Sequence, residues 1–567
     1  MMKKITAAIV LSVLAVACAK KEEGPTAPVI APETQRSISQ GQLVGFTAEN
    51  GAHVWRGIPF AASTADNNRW RAPQPAPGWQ GSKEALTFSP RCLQFTNRYD
   101  EPQGLEAGQI VGSENCLALN IFAPADAQGK SLPVMLWIHG GGNVWGSAET
   151  YDGSRLADNE NVIVVTVQYR LGPLGWLAWD PLREAAATEA DRGANFAILD
   201  LIASLEWVQE NISAFGGNPD SVTIFGESAG GHNVVSLLAS PLAEGLFHKA
   251  IIQSGSFDSV SVAEAEGLEG DLPNPSRDIL GGLGVTTVDQ LRALPVEEFL
   301  APYWSESGGF LDAPRIIEDG VVLPAAAMRA AFGSTENFNN VPIMTGTNRD
   351  EMKLFYLGNE DLTKTIFGVF FVARDQDLYD AASDYASRVW RVRAVDQPAS
   401  LMAQAGHRDV YAYRFDWDDG GRFLFMDLKK MLGAAHAMEI PFVFNVFSLL
   451  GQADSIMFQK KTEEDRQKLS RTMGSYWASF ARNGVPSANG APAWPVYSAE
   501  GTSVLRLDAV SDGGIELLRE PDSIDQVVND LRADTRVNDE QKCLIGESIA
   551  EWVPTLETEV MGRLGCR

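Results

Sequence analysis

The chain has 567 residues, of which 45% are hydrophobic and 21% charged. That balance belongs to a globular protein and excludes a largely disordered, collagen-like or coiled-coil chain. Lys and Arg number 46 against 73 Asp and Glu, a formal net charge of −27, which repels phosphate backbones and argues against a nucleic-acid partner.

The N-terminus reads as an export signal over residues 1–17. Lys3 and Lys4 form a basic start, and Ile5–Ala17 is apolar but too short to cross a hydrocarbon core of about 30 Å. Leu14-Ala15-Val16-Ala17-Cys18 resembles a bacterial lipobox, with Ala15 where Leu is usual. On that reading Cys18 is acylated, and Ala19 after it directs the protein to an outer membrane. Ala15-Val16-Ala17 also satisfies the A-x-A cleavage rule, which would release a soluble periplasmic or secreted form. Residues 18–35, rich in charge and Pro, read as a flexible tether. Residues 36–567 contain no comparable linker and no internal repeat, and are expected to form a single domain. No other run is apolar enough for a membrane helix.

Apart from Cys18 the cysteines are Cys92, Cys116, Cys543 and Cys566. An oxidising compartment makes disulfides the default, and proximity favours Cys92–Cys116 and Cys543–Cys566. Free thiols at Cys543 and Cys566 are the alternative.

Short apolar runs at Val134–Ile138, Val162–Val167, Val222–Phe225, Ala250–Gln253 and Val341–Thr345 suggest buried parallel strands. Ala194–Ile212 carries Ile198, Leu201, Ile202, Leu205 and Val208 at helical spacing, and Thr462–Asn483 is a second long helix ending near Gly484 and Pro486. Alternation of this kind implies an α/β fold with a mostly parallel central sheet flanked by helices. Residues 255–340, rich in Gly, Pro and acidic residues, break the alternation and are expected to form a helical excursion over the sheet edge.

The sharpest motif is Gly226-Glu227-Ser228-Ala229-Gly230. It follows an apolar run and precedes a helix-compatible stretch, the strand–turn–helix context of a nucleophile elbow. Small residues must flank so tight a turn, and the Ser228 hydroxyl then stands above the sheet. A hydroxyl needs a base. In this architecture the order is Ser, acid, His, which admits His232, His248, His407 and His436. His232 reads as a pocket neighbour on the helix, and His248 as a structural residue before a strand. His407 precedes a strand at Asp409–Phe415 and reads as a surface residue. His436 lies in a small-residue loop, and order alone leaves His407 and His436 competing. Asp350 and Glu351, after the strand ending at Thr345, both qualify as the acid. His139-Gly140-Gly141-Gly142 follows Val134–Ile138 as a loop able to bring two N–H groups to a carbonyl oxygen, and the N–H of Ala229 is a third donor.

These segments resemble the type-B carboxylesterase/cholinesterase family of α/β hydrolases, over roughly residues 41–554. Phe215-Gly216-Gly217-Asn218-Pro219 followed by Val222–Gly231 is similar to its serine signature. Ser113–Ile121 is similar to its E-D-C-L-x-L-N signature, and Gln168–Gly175 to its N-Y-R-x-G-x-x-G segment. The resemblance implies that Glu351 is the acid and His436 the base. It implies that Gly141, Gly142 and Ala229 supply the oxyanion N–H groups, that Glu227, Ser254 and Glu439 form a polar network behind them, and that Cys92 pairs with Cys116.

Two departures are expected around the pocket: Asn143 stands where an aromatic is common after the glycines, and Met352 where a Gly follows the acid. Leu93–Asn115 lacks the Trp that holds a quaternary ammonium in choline-selective members, which argues against a choline-ester specialist. The family's second disulfide has no cysteines here.

No H-E-x-x-H or C-x-x-C offers metal ligands. Gly129-Lys130-Ser131 is similar to the end of a P-loop, but Pro124 occupies the position of its first Gly. No dinucleotide fingerprint follows a strand. The expected activity is therefore cofactor-free hydrolysis of a small-molecule carboxylic ester through an acyl-enzyme. An amidase or lactonase with the same triad, and a binding protein without catalysis, are the alternatives. Membrane contact is expected only through a lipid at Cys18.

Overall fold

The computed structural model describes residues 27–97, 105–304, 314–367, 370–448, 454–498, 503–518 and 521–566. The expected signal segment, Cys18 and the first part of the tether lie outside them. The last part of the expected tether is not free: Pro32–Thr34 form a short turn and Thr34 is buried. Its Oγ1 accepts the Gly45 N–H and its carbonyl accepts Trp55 Nε1, both at 2.8 Å, so the packed domain begins before residue 36.

Eleven strands form one sheet: β1 (Phe46–Thr47), β2 (His53–Pro59), β3 (Ala118–Ala123), β4 (Leu132–Ile138), β5 (Ile163–Val167), β6 (Gly217–Glu227), β7 (Lys249–Gln253), β8 (Ile343–Asn348), β9 (Val410–Phe415), β10 (Val504–Leu507) and β11 (Glu516–Leu518). Their order is β1-β2-β3-β5-β4-β6-β7-β8-β9-β10-β11. Every pairing from β5 through β10 is parallel. The pairs β1–β2, β2–β3, β3–β5 and β10–β11 are antiparallel. Central strands such as β5 are buried along their whole length, which is why they read as continuous apolar runs and not as alternating ones.

The longer and site-bearing helices are α1 (Phe196–Asn211), α2 (Ala229–Ala239), α3 (Glu351–Tyr356), α4 (Gln376–Arg391), α5 (Glu463–Asn483), α6 (Ile524–Ala533), α7 (Asp539–Trp552) and α8 (Glu557–Leu564). The expected apolar stripe of α1 is buried, and so is Asp200 on its first turns. Asp200 accepts from Arg170 Nη2 at 2.6 Å and Nε at 2.8 Å, fixing the segment after β5 to α1. Asp200→Ala strands the guanidinium in the interior and should lower stability by about 3–5 kcal/mol, a loss that a thermal or urea melt would register.

Several sequence expectations need correction. β8 starts at Ile343 because Val341 N–H turns back to the Asn339 carbonyl and Pro342 has no N–H to donate; it runs on to Asn348. The segment 255–340 holds only short helices among its described residues, such as Val262–Glu266 and Ser276–Gly282, together with the two-residue pair Val260–Ser261 and Ile317–Glu318. His407 is buried, not at the surface: its Nδ1 meets Asn340 Oδ1 and its ring packs edge-on to Phe338 at 5.6 Å.

Disulfides join Cys92 to Cys116 and Cys543 to Cys566. The first fixes a loop to the segment entering β3, and the second ties α7 to the end of the chain. No helix among the described residues is long and apolar enough to cross a membrane.

Candidate active site

β6 delivers Ser228 in a conformation that side chains rarely adopt, φ 58° and ψ −122°, so the turn stores strain. Its glycines are dictated by close approach: a Cβ on Gly230 would lie 2.0 Å from the Ile138 carbonyl oxygen, and one on Gly231 2.7 Å from that of Gln253. Ser228 N–H donates to the Gln253 carbonyl at 2.9 Å. Glu227 and Ala229 are buried while Ser228 remains partly exposed at the start of α2, where free N–H groups favour negative charge.

The glycine loop after β4 reaches the same point. A Cβ on Gly140 would stand 3.2 Å from Ser228 Cβ, and Gly141 and Gly142 have φ of 101° and 62°. His139 is a structural anchor for this loop. It stacks on Tyr169 at 4.4 Å, and the Tyr169 hydroxyl donates to its carbonyl at 2.6 Å. Burial lowers the imidazole to about 4, so it is neutral at pH 7.

The two departures from the family pattern do not wall a pocket. Asn143 is buried with φ 60°, a left-handed conformation Asn tolerates, and its Oδ1 accepts from Asn233 Nδ2 of α2 at 2.9 Å. Met352 is core, with its N–H on Ser387 Oγ at 3.0 Å.

Glu351 and Asp350 part company at the start of α3. Asp350 pairs with Arg349 and Lys353 and accepts the Ala434 N–H; burial opposes its charge, but Lys353 and Arg349 hold its carboxyl below the usual range. Glu351 is fully buried. Its Oε2 lies 2.5 Å from His436 Nδ1, while Oε1 accepts from Ser254 Oγ at 2.6 Å and Asn348 N–H at 2.7 Å. His407 precedes the N-terminal end of β9, so the parallel sheet separates it from Ser228 at the C-terminal end of β6.

His436 Nε2 lies 3.1 Å from Glu227 Oε1 without the alignment of a hydrogen bond. No hydrogen bond joins Nε2 to Ser228 Oγ in this arrangement. Glu439, also fully buried, accepts from Asn348 Nδ2 at 2.6 Å and Gln253 Nε2 at 3.0 Å, and Gln253 in turn accepts from Trp477 Nε1 at 3.0 Å. Burial pushes the Glu227 and Glu439 carboxyls up. Burial also opposes a charge on His436, but Glu227 and Glu351 beside it prevail and raise the imidazole. Gln253 and Asn348 were not singled out from sequence, although both end parallel strands, where such a sheet places its site residues.

Glu227→Gln removes a carboxyl that, where ionised, holds the His436 proton. If neutral His436 is the active form, activity rises with pH as that proton leaves, so the variant's acid limb should move to lower pH in a kcat/KM profile. An unmoved limb would separate Glu227 from the titrating group.

His232 Nε2 meets the Asp258 carbonyl at 2.7 Å, and His248 Nδ1 accepts the Val222 N–H at 3.1 Å; neither reaches Glu351. An apolar pocket, open to solvent, shares Val144 and Trp145 with the glycine turn and is lined further by Phe95, Trp176, Tyr303 and Trp304. Ser228 and His436 are not among its lining residues. Trp176 Nε1 and Tyr303 Oη, both buried, have no hydrogen-bond partner. Among the described residues the one group of carboxylates close enough to share an ion is Asp418, Asp419 and Asp512; Lys429 Nζ pairs with all three, at 2.8, 3.3 and 3.7 Å.

The carboxylesterase family model matches residues 32–367 and 358–521. The chain belongs to the carboxylesterase family. It is 35% identical over 496 residues to a para-nitrobenzyl esterase of Bacillus subtilis, covering 83% of this chain and 94% of that protein. It is 34% identical over 511 residues to a human cocaine esterase, covering 82% and 86%. A solved structure titled PNB esterase superposes with a TM-score of 0.69 at 31% identity, over 86% of this chain and 98% of that one. A Geobacillus stearothermophilus carboxylesterase does so with a TM-score of 0.69 at 30% identity, over 86% and 98%. The sheet and its helices are thus an α/β-hydrolase fold, and the protein is a carboxylic ester hydrolase.

Proposed function

We propose that this carboxylesterase is an exported single-domain serine enzyme working through Ser228, His436 and Glu351. The observation that carries the reading is the buried chain Ser254–Glu351–His436 beside the strained Ser228 turn. His436 Nε2 takes the Ser228 proton as Oγ attacks the ester carbonyl, and the oxyanion is met by the N–H groups of Gly141, Gly142 and Ala229. The imidazolium then protonates the departing alcohol, leaving an acyl-enzyme. Water, deprotonated by His436, attacks the acyl carbon, and the acid and Ser228 are released. Glu351, fixed by Ser254 and Asn348, orients the ring and balances its charge. Nε2 is left without an aligned partner in the resting arrangement, and the Ser228 contact tightens when substrate binds.

The apolar pocket beside the glycine turn accommodates a bulky apolar part of the ester. A panel of p-nitrophenyl esters of rising acyl length tests the function: turnover extending to long or aromatic acyl groups supports it, and no turnover of any member contradicts it.

The disulfides fit an oxidising compartment, and the lipobox-like Cys18 favours a membrane tether. Metabolic labelling with an alkyne fatty acid should mark the wild type but not Cys18→Ser. An unlabelled wild type with soluble activity would instead indicate the A-x-A cleavage.

A further inference from the structure

His436 is backed by aromatic rings. Trp390 of α4 and Phe355 of α3 hold their centroids 4.9 and 5.2 Å from the imidazole. Trp552, the last residue of α7, packs on both, 4.8 Å from Phe355 and 6.2 Å from Trp390. It is the single aromatic residue of 522–567, a segment that begins where the family match ends.

That segment is anchored at several points. The Cys543–Cys566 disulfide closes α7 onto the chain end. Gly546 allows close approach of Val560, Met561 and Leu564, with a Cβ there meeting Leu564 Cδ1 at 2.9 Å. The Tyr356 and Ser548 hydroxyls bond at 2.6 Å, joining α3 to α7. Arg388 of α4 pairs with Asp522 at 2.6 Å and Asp530 at 2.7 Å, joining α4 to α6. The two elements that touch His436 through their rings are therefore the two to which the C-terminal helices are fastened.

We propose that Trp552, carried by the disulfide-closed C-terminal helices, is a positioning residue for ester hydrolysis. It buttresses Phe355 and Trp390, and these hold the His436 ring in the orientation that points Nε2 at Ser228. An imidazole bonded to Glu351 through Nδ1 alone can still swing about that bond; rings packed on it remove the freedom. Their faces also favour the charged imidazolium that forms during attack. Cys543–Cys566 contributes by fixing the helix that ends in Trp552. The inference rests on His436 being the base.

The test uses Trp552→Ala and Trp552→Phe in the full chain, with kcat, KM and the pH profile read beside the thermal midpoint. Small misplacements of a catalytic group cost up to about 100-fold, and Trp552→Ala should lower kcat about 10-fold or more with KM little changed. Its acid limb should move to lower pH, because Phe355 and Trp390, no longer buttressed, hold their faces less closely to the imidazolium. Trp552→Phe should restore most of the rate. Cys566→Ser, which leaves Trp552 in place, should show a smaller loss of the same kind and keeps the question open to measurement if Trp552→Ala does not fold. A folded Trp552→Ala with wild-type kcat and acid limb would overturn the proposal, as would a Phe variant no better than the Ala variant. Either result alongside an inactive His436→Ala leaves the triad standing; an active His436→Ala would remove the triad itself.

Discussion

Ser228→Ala and His436→Ala should each lower kcat by several orders of magnitude, on the order of 10⁴–10⁶, in protein that still folds; the thermal midpoint of Ser228→Ala should change little, while His436→Ala leaves Glu351 buried without its partner and should melt lower. Ser228 is a partly exposed turn residue, and removing its hydroxyl leaves the backbone bonds of the elbow in place. The control is His407→Ala. His407 lies buried between Asn340 and Phe338 at the opposite end of the sheet, so its loss should be felt in stability and not in the chemical step. Parallel kcat measurements on folded protein compare the two histidines directly. Equal losses of kcat would undo the choice between them.

Glu351→Gln should lower kcat by roughly 10³–10⁴-fold, and the reason is specific to its neighbours. Ser254 Oγ and Asn348 N–H both donate to Glu351 Oε1. In the variant they would claim the amide oxygen, which turns the NH₂ group toward His436 Nδ1. Nδ1 must then accept and Nε2 must carry the proton, the wrong tautomer for taking a proton from Ser228. Steady-state kinetics of Glu351→Gln against Asp350→Asn separates the roles. The Asp350 variant loses contacts to Arg349, Lys353 and Ala434, so its effect should fall on stability.

Much of this site is legible in the sequence because its chemistry demands particular local residues. The Ser228 elbow and the glycine loop announce themselves through small residues that backbone contact requires, each placed after an apolar strand. The central strands are legible because burial on both faces makes them continuous apolar runs.

The choice of Glu351 over Asp350, and of His436 over His407, is not local. Adjacent carboxylates differ only in which way the chain turns at the start of α3, and of two histidines that both follow the acid one stands just before β9 and the other in a loop well beyond it. Residue order alone settles neither choice, and there the resemblance decided. The polar character around His407 suggested exposure, yet Asn340 satisfies its ring inside the protein. Asn143 and Met352 looked like pocket residues only because they neighbour site residues in sequence; their side chains turn into the interior.

The antiparallel strands β1–β3 were not anticipated, because β2 is irregular between Trp55 and Ile58 where its pairing with β3 shifts register. The contribution of Trp552 is invisible from sequence for a different reason. Nearly 200 residues separate it from Phe355, and only the packing of α7 against α3 and α4 brings them together.

The central claim is that Ser228 is the nucleophile, and covalent labelling measures it most directly. The protein is incubated with diisopropyl fluorophosphate, and remaining activity is followed beside intact and peptide mass. A single phosphoryl adduct on the peptide containing Ser228, appearing in step with loss of activity and absent from Ser228→Ala, is the expected result. Loss of activity with Ser228 unmodified, or an adduct on another residue that tracks the loss, would contradict the account.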